Sequence, residues 1–227
     1  MFKQAGLTDW TFEKDDGPGL RSALYSIMDS MAEELQMVEQ QPLVVPIDQH
    51  FNVKGIGLVA IGYVQSGSVS VHDEITMLPS GGTGSVKSLQ VMDDDVPKAG
   101  AGDRVGIALR NAKEESLSGT CLIVLPELDD KRKDIHRPLA LESHSLSQMS
   151  LNVSPFQKRK LTVGDVLHAS IDLEFVVGRV ESIDGSVGTV RWETPLLQRI
   201  ENPPSVLIAQ LDSKPRIMGD ANLTKQE

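Results

Sequence analysis

Residues Asp48 to Gly67 read DQHFNVKGIGLVAIGYVQSG, a stretch dense in groups able to do chemistry: a carboxylate, an amide, an imidazole, a phenyl ring and four glycines. Gly55, Gly57 and Ala60 fit the loose dinucleotide pattern of Gly, any residue, Gly, two residues, then Gly or Ala. That chemistry needs a helix directly after the turn, its N-terminus facing the pyrophosphate. The residues that follow, LVAIGYV, are β-branched and glycine-interrupted, and such a run makes a strand. A dinucleotide site is therefore excluded, and glycine within a strand marks a bend, a bulge or a close backbone approach.

Catalytic and metal-binding patterns are not found in the 227 residues. His50, His72, His136, His144 and His168 never fall at a metal-ligand spacing, and there is no Gly-x-Ser-x-Gly elbow. The single cysteine, Cys121, lies in the apolar run CLIVL and reads as a buried, inert thiol. Asp16-Gly17-Pro18-Gly19 has the form Asp-x-x-Gly, but no phosphate loop precedes it. The expectation is a non-enzymatic chain with no catalytic residue, metal or cofactor.

The elements that must position the Asp48 stretch are β-strands. From Pro42 onward, short Val- and Ile-rich runs alternate with glycine or acidic turns every 8 to 12 residues, as in LVVPI, GLVAIGYV, EITMLP, GSVKSLQVM, RVGIALR and CLIVLP. A second strand-rich set occupies Leu141 to Val153, DVLHASIDLEFVVGRVESI, SVGTVRWE, SVLIAQL and PRIMGDANL. The pattern predicts an all-β fold: two small antiparallel domains in tandem, each a sandwich or a β-barrel, at 42–127 and 137–227, joined by a linker at 128–136. Ahead of them, residues 1–41 form an α-helical segment that starts after Pro18. Its Leu20, Leu24, Ile27, Met28, Met31 and Leu35 repeat at three- and four-residue steps and make one apolar face.

The formal charge is -10, which disfavours a general polyanion binder, yet residues 131–227 carry 13 basic and 12 acidic side chains. Two basic triplets stand out, Lys131-Arg132-Lys133 and Lys158-Arg159-Lys160. They are either a linker and a solvated loop or contacts to RNA phosphates. No apolar run approaches the roughly 20 residues that span a bilayer, and the first residues lack a signal-peptide shape. A cytoplasmic protein with no membrane partner is expected.

The order of motifs from Pro42 to Val124 resembles domain two of the elongation factor Tu family of translational GTPases. The residues that carry it are Pro46-Ile47-Asp48, Phe51, Lys54-Gly55-Ile56-Gly57, Gly62, Gly67, Val71-His72-Asp73 and the run from Ser85 to Leu109, closing at Gly119. Residues from Arg137 to Leu223 are more faintly similar to the third domain, ending in Lys214-Pro215-Arg216-Ile217-Met218-Gly219. Arg104 within Ala101-Gly102-Asp103-Arg104-Val105-Gly106, together with that ending, resembles the selenocysteine-specific branch.

The resemblance implies a pocket for the amino acid and terminal adenosine of a charged tRNA, formed by Asp48, Gln49, His50, Phe51, Gly55 and Arg104. Phe51 would stack on adenine, and Arg104 would meet an anionic group such as a selenolate. The alternative for Arg104 is a surface residue paired with an acidic neighbour.

The chain departs from the family in having no Gly-x4-Gly-Lys-Ser/Thr loop and no Asn-Lys-x-Asp pattern, so no GTP binding by this chain alone is expected. Leu58 stands where threonine is common, and Asp220-Ala221 replaces a glycine and a small or apolar residue. The N-terminal segment resembles the last helix of a GTPase domain, and its apolar face would cap the barrels or hold a protein partner. The function implied is that of a GTPase-deficient elongation-factor-like protein with tRNA or the ribosome as partner. An interaction scaffold, or a piece of a complete translational GTPase, stays open beside it.

Overall fold

A computed structural model describes residues 14–119, 121–126 and 139–226. The predicted linker at 128–136 and the triplet Lys131-Arg132-Lys133 lie outside the described residues.

The helix α1 runs from Gly17 to Glu39, two residues ahead of the expected start after Pro18. The reason is Asp16, which caps it: one carboxylate oxygen accepts the Gly19 N–H at 2.7 Å and its carbonyl accepts the Leu20 N–H at 2.9 Å. Proline is tolerated in that first turn because its missing N–H has no intrahelical partner there. The Asp-x-x-Gly of the sequence is thus a helix cap. None of the α1 residues is buried, and Leu24, Tyr25, Ile27 and Met28 are all exposed.

The first barrel is built from β1 (Val44–Val53), β2 (Gly57–Tyr63), β3 (Ser68–Ser70), β4 (Glu74–Leu78), β5 (Gly82–Val91), β6 (Asp94–Val96), β7 (Lys98–Gly100), β8 (Arg104–Arg110) and β9 (Cys121–Val124). Six of these close on themselves in the order β1-β2-β8-β5-β4-β9, with β9 pairing back onto β1. β6 extends the edge of β5, and β3 with β7 forms a separate ribbon. The period of two decides what is inside: Val105, Ile107 and Leu109 of β8 are buried while Arg104 and Arg110 are exposed.

The second barrel closes as β10-β13-β12-β11-β14-β15, from β10 (Leu141–Val153), β11 (Val166–Ile171), β12 (Glu174–Asp184), β13 (Val187–Arg199), β14 (Val206–Ala209) and β15 (Ile217–Lys225). The run DVLHASIDLEFVVGRVESI, a single apolar stretch in the sequence, is a hairpin of two strands. Ile171 pairs with Glu174 across a two-residue turn, Asp172-Leu173, whose φ values of 43° and 68° are both left-handed. Such turns favour Asn-Gly, so Asp-Leu carries little signal in sequence.

At the centre of this barrel a polar node replaces hydrocarbon. The Trp192 indole N–H donates to the Ser147 hydroxyl at 2.9 Å, and His144 Nδ1 lies 2.9 Å from the same oxygen. Ser147 and His144 are fully buried and Trp192 is 5% exposed. A buried donor stripped of its partner costs about 1–3 kcal/mol. Ser147→Ala is therefore expected to destabilise the chain by about 2 kcal/mol in urea melts, whereas a surface Ser→Ala change such as Ser205→Ala stays within about 0.5 kcal/mol.

Candidate nucleic-acid interface

The Asp48 stretch lies on the β1–β2 hairpin. Val53 pairs with Gly57 across the loop Lys54-Gly55-Ile56, and Gly55 takes φ 85° there, with open space where a side chain would stand. Its glycine serves the turn conformation, not a contact. Farther along, Ile47 pairs with Gly62 and Gln49 with Ile61, which leaves Asp48 as the extra residue of a β-bulge. A Cβ on Gly62 would sit 2.2 Å from the Pro46 carbonyl oxygen, so glycine is what lets β2 approach the bulged strand.

The bulge turns Asp48 towards Arg104. The carboxylate is 3.1 Å from Nη2 of Arg104, and Nη1 donates to the Tyr63 hydroxyl at 2.7 Å. The guanidinium carbon also stands 5.1 Å from the centroid of the Tyr63 ring, within cation–π range. Register makes this contact unavoidable, since Tyr63 of β2 is directly opposite Arg104 of β8. Of the two readings of Arg104, the structure shows the pairing with an acidic neighbour, and that neighbour is Asp48. The Arg104 and Asp48 side chains keep 47% and 24% of their exposure, and ion pairs so placed contribute about 0–1 kcal/mol. An incoming anion can compete for the guanidinium at small cost.

Phe51, 41% exposed, pairs with Val59, and Gln49 pairs with Ile61; Tyr63 continues the same alternating set on β2. Gln49, Phe51, Tyr63 and Arg104 therefore share the outward face, with Asp48 reaching it through the bulge. His50 does not. It pairs with the fully buried Ala60 and belongs to the opposite face of β1, because adjacent strand residues alternate; the sequence reading that grouped it with Phe51 is corrected on that point. Tyr63 was missed, although its two-residue spacing from Ile61 and Val59 places it on the outer face.

In the second barrel, Lys158, Arg159 and Lys160 rim a groove of about 640 Å³ floored by Met149, Leu151 and Met218. Arg159 is engaged, with Asp165 at 2.9 Å and Asp212 at 3.1 Å, while the two lysines are exposed. Only Lys158 and Lys160 of this triplet present charge not already shared with a described carboxylate.

Cys121 of β9 is 1% exposed. Burial, with the Glu174 carboxylate adding to it, pushes its thiol up to about 12. No helix among the described residues is long and apolar enough to cross a membrane.

Comparison with known proteins agrees with this architecture. Residues 57–124 match the family model of elongation factor Tu domain 2. Over 140 residues the chain is 30% identical to the uncharacterized protein MJ0325 of Methanocaldococcus jannaschii, covering 62% of this chain and 41% of that one. Over 145 residues it is 34% identical to the selenocysteine-specific elongation factor of the same organism, covering 64% and 30%. The chain thus spans well under half the length of these relatives. Among solved structures, a bacterial selenocysteine-specific elongation factor superposes with a TM-score of 0.70 at 20% identity, covering 90% of this chain and 31% of the other. Residues 57–124 of the first barrel thus match elongation factor Tu domain 2, the two barrels together have the fold of the solved selenocysteine-specific elongation factor, and no Gly-x4-Gly-Lys-Ser/Thr motif occurs in the 227-residue sequence.

Proposed function

We propose that the chain is a GTPase-deficient elongation-factor-like protein that binds the acceptor end of an aminoacyl-tRNA. The observation that carries this is the Asp48–Arg104–Tyr63 contact on one outward face, which also carries the exposed Phe51 farther along the strands. A half-exposed guanidinium beside the Tyr63 ring suits an RNA 3′ end, which needs a stacking platform and a counter-charge. Lys158 and Lys160 add phosphate contacts on the second barrel. The protein performs no covalent chemistry in this reading.

Electrophoretic mobility shifts with aminoacylated and deacylated tRNA at low salt test it. Arg104→Ala is expected to weaken binding of charged tRNA at least about tenfold, the lower end of the 1.5–3 kcal/mol of a charged hydrogen bond. Folding stability should move by less than about 1 kcal/mol, because the ion pair is exposed. No shift with either tRNA at low salt would end the proposal.

A second reading is an interaction scaffold, favoured by the apolar residues that α1 leaves exposed. Under it, a partner captured by the chain survives RNase and is lost when Leu24 and Ile27 are changed to serine.

A further inference from the structure

Where the two barrels meet there is a cavity of about 570 Å³, lined among others by Leu78 and Ser118 of the first barrel and Ser143, Glu174, Phe175 and Thr194 of the second. Glu174 opens β12, directly after the Asp172-Leu173 turn, and is 6% exposed. The backbone N–H of Leu197 donates to its carboxylate, but Oε2 has no hydrogen-bond partner among the described residues. The nearby cation does not serve it: Arg199 Nε is held by Asp172 at 3.0 Å, in a pair that is itself largely buried. The other titratable neighbour is the Cys121 thiol across the junction, a poor donor.

A buried carboxylate oxygen without a donor is costly, and natural proteins rarely leave one without a reason. One water would occupy about 30 Å³, a small part of this space. A metal ion would want several carboxylate oxygens, and Asp172 is already committed to Arg199. The remaining walls suit nitrogen. Ser118, Ser143 and Thr194 bring hydroxyls able to accept from N–H groups, and Leu78, Pro79 and Val176 contribute hydrocarbon, while the Phe175 ring is stacked on His168 at 5.0 Å.

We propose that this inter-barrel cavity is a binding site for a small planar organic cation of the amidinium or guanidinium type, with Glu174 as its counter-charge. The site is distinct from the Arg104 face and does not depend on RNA binding.

Titration calorimetry and amide chemical-shift mapping of the whole chain with benzamidine test it. Saturable binding is expected at pH 8. Burial, and to a smaller degree Asp172, raise the Glu174 carboxyl to about 7, against the Leu197 N–H, so affinity should fall more than tenfold by pH 5.5. Benzyl alcohol, the neutral analogue, should not bind. Glu174→Gln should abolish the signal. Absence of saturable binding at pH 8, equal affinity at the two pH values, or affinity unchanged in Glu174→Gln overturns the assignment.

Discussion

Gly62→Ala is expected to cost about 3 kcal/mol of folding stability, the upper end of what overpacking does. The added Cβ would stand 2.2 Å from the Pro46 carbonyl oxygen and 3.0 Å from Cδ1 of Ile47. The first of these is β1 backbone just ahead of the bulge, so no rotamer change relieves it; β1 or β2 must shift. That shift would move Asp48 away from Arg104, so under the proposed function weaker tRNA binding should accompany the lost stability. Gly106→Ala on neighbouring β8 is the control, because its Cβ would meet nothing closer than 3.9 Å. Urea melts should show Gly106→Ala within about 0.5 kcal/mol of the parent and Gly62→Ala far below it. A Gly62→Ala midpoint equal to that of Gly106→Ala would mean that the bulge has another origin.

The second large effect is one of pH. The Glu174 carboxyl stands at about 7 in the folded chain against an ordinary 4.5, burial being the main cause. The folded state therefore binds a proton that the unfolded state has released. This contribution is fully present below about pH 4.5 and is lost as pH rises through about 7. At 1.36 kcal/mol per unit the whole window is worth about 3 kcal/mol. Glu174→Gln cannot titrate, so its stability should hold where that of the parent declines. Paired urea melts at pH 5 and pH 8 measure the difference. Asp172, which burial also raises against the pull of Arg199, titrates in both proteins and drops out of the comparison. A parent and variant that decline in parallel would contradict the raised carboxyl. A benzamidine-saturated parent should regain part of the lost stability at pH 8, since ligand binding to the folded state adds to it.

What the sequence revealed followed from local rules. β-branched runs such as RVGIALR and CLIVLP became strands because their alternation matches the pleat. The Asp48–Arg104 pairing was one of two readings that the residue types left open, and the register of β1, β2 and β8 selects it. The bulge at Asp48 was not legible, because a one-residue slip depends on how β2 pairs with β1, and it decides that His50 faces away. The Asp172-Leu173 turn stayed hidden for lack of a turn-specific residue pair. Glu174 was invisible as a site residue because its environment combines side chains more than 90 positions apart, from Leu78 to Thr194.

The state of Cys121 has a practical consequence. A lone thiol held protonated inside β9, between β1 and β4, cannot be alkylated while the first barrel is closed. Each labelling event must wait for the strands around β9 to part, so the rate of modification is a clock on that opening. The chain carries its own single-site reporter of the first barrel, set beside the Glu174 carboxylate of the second.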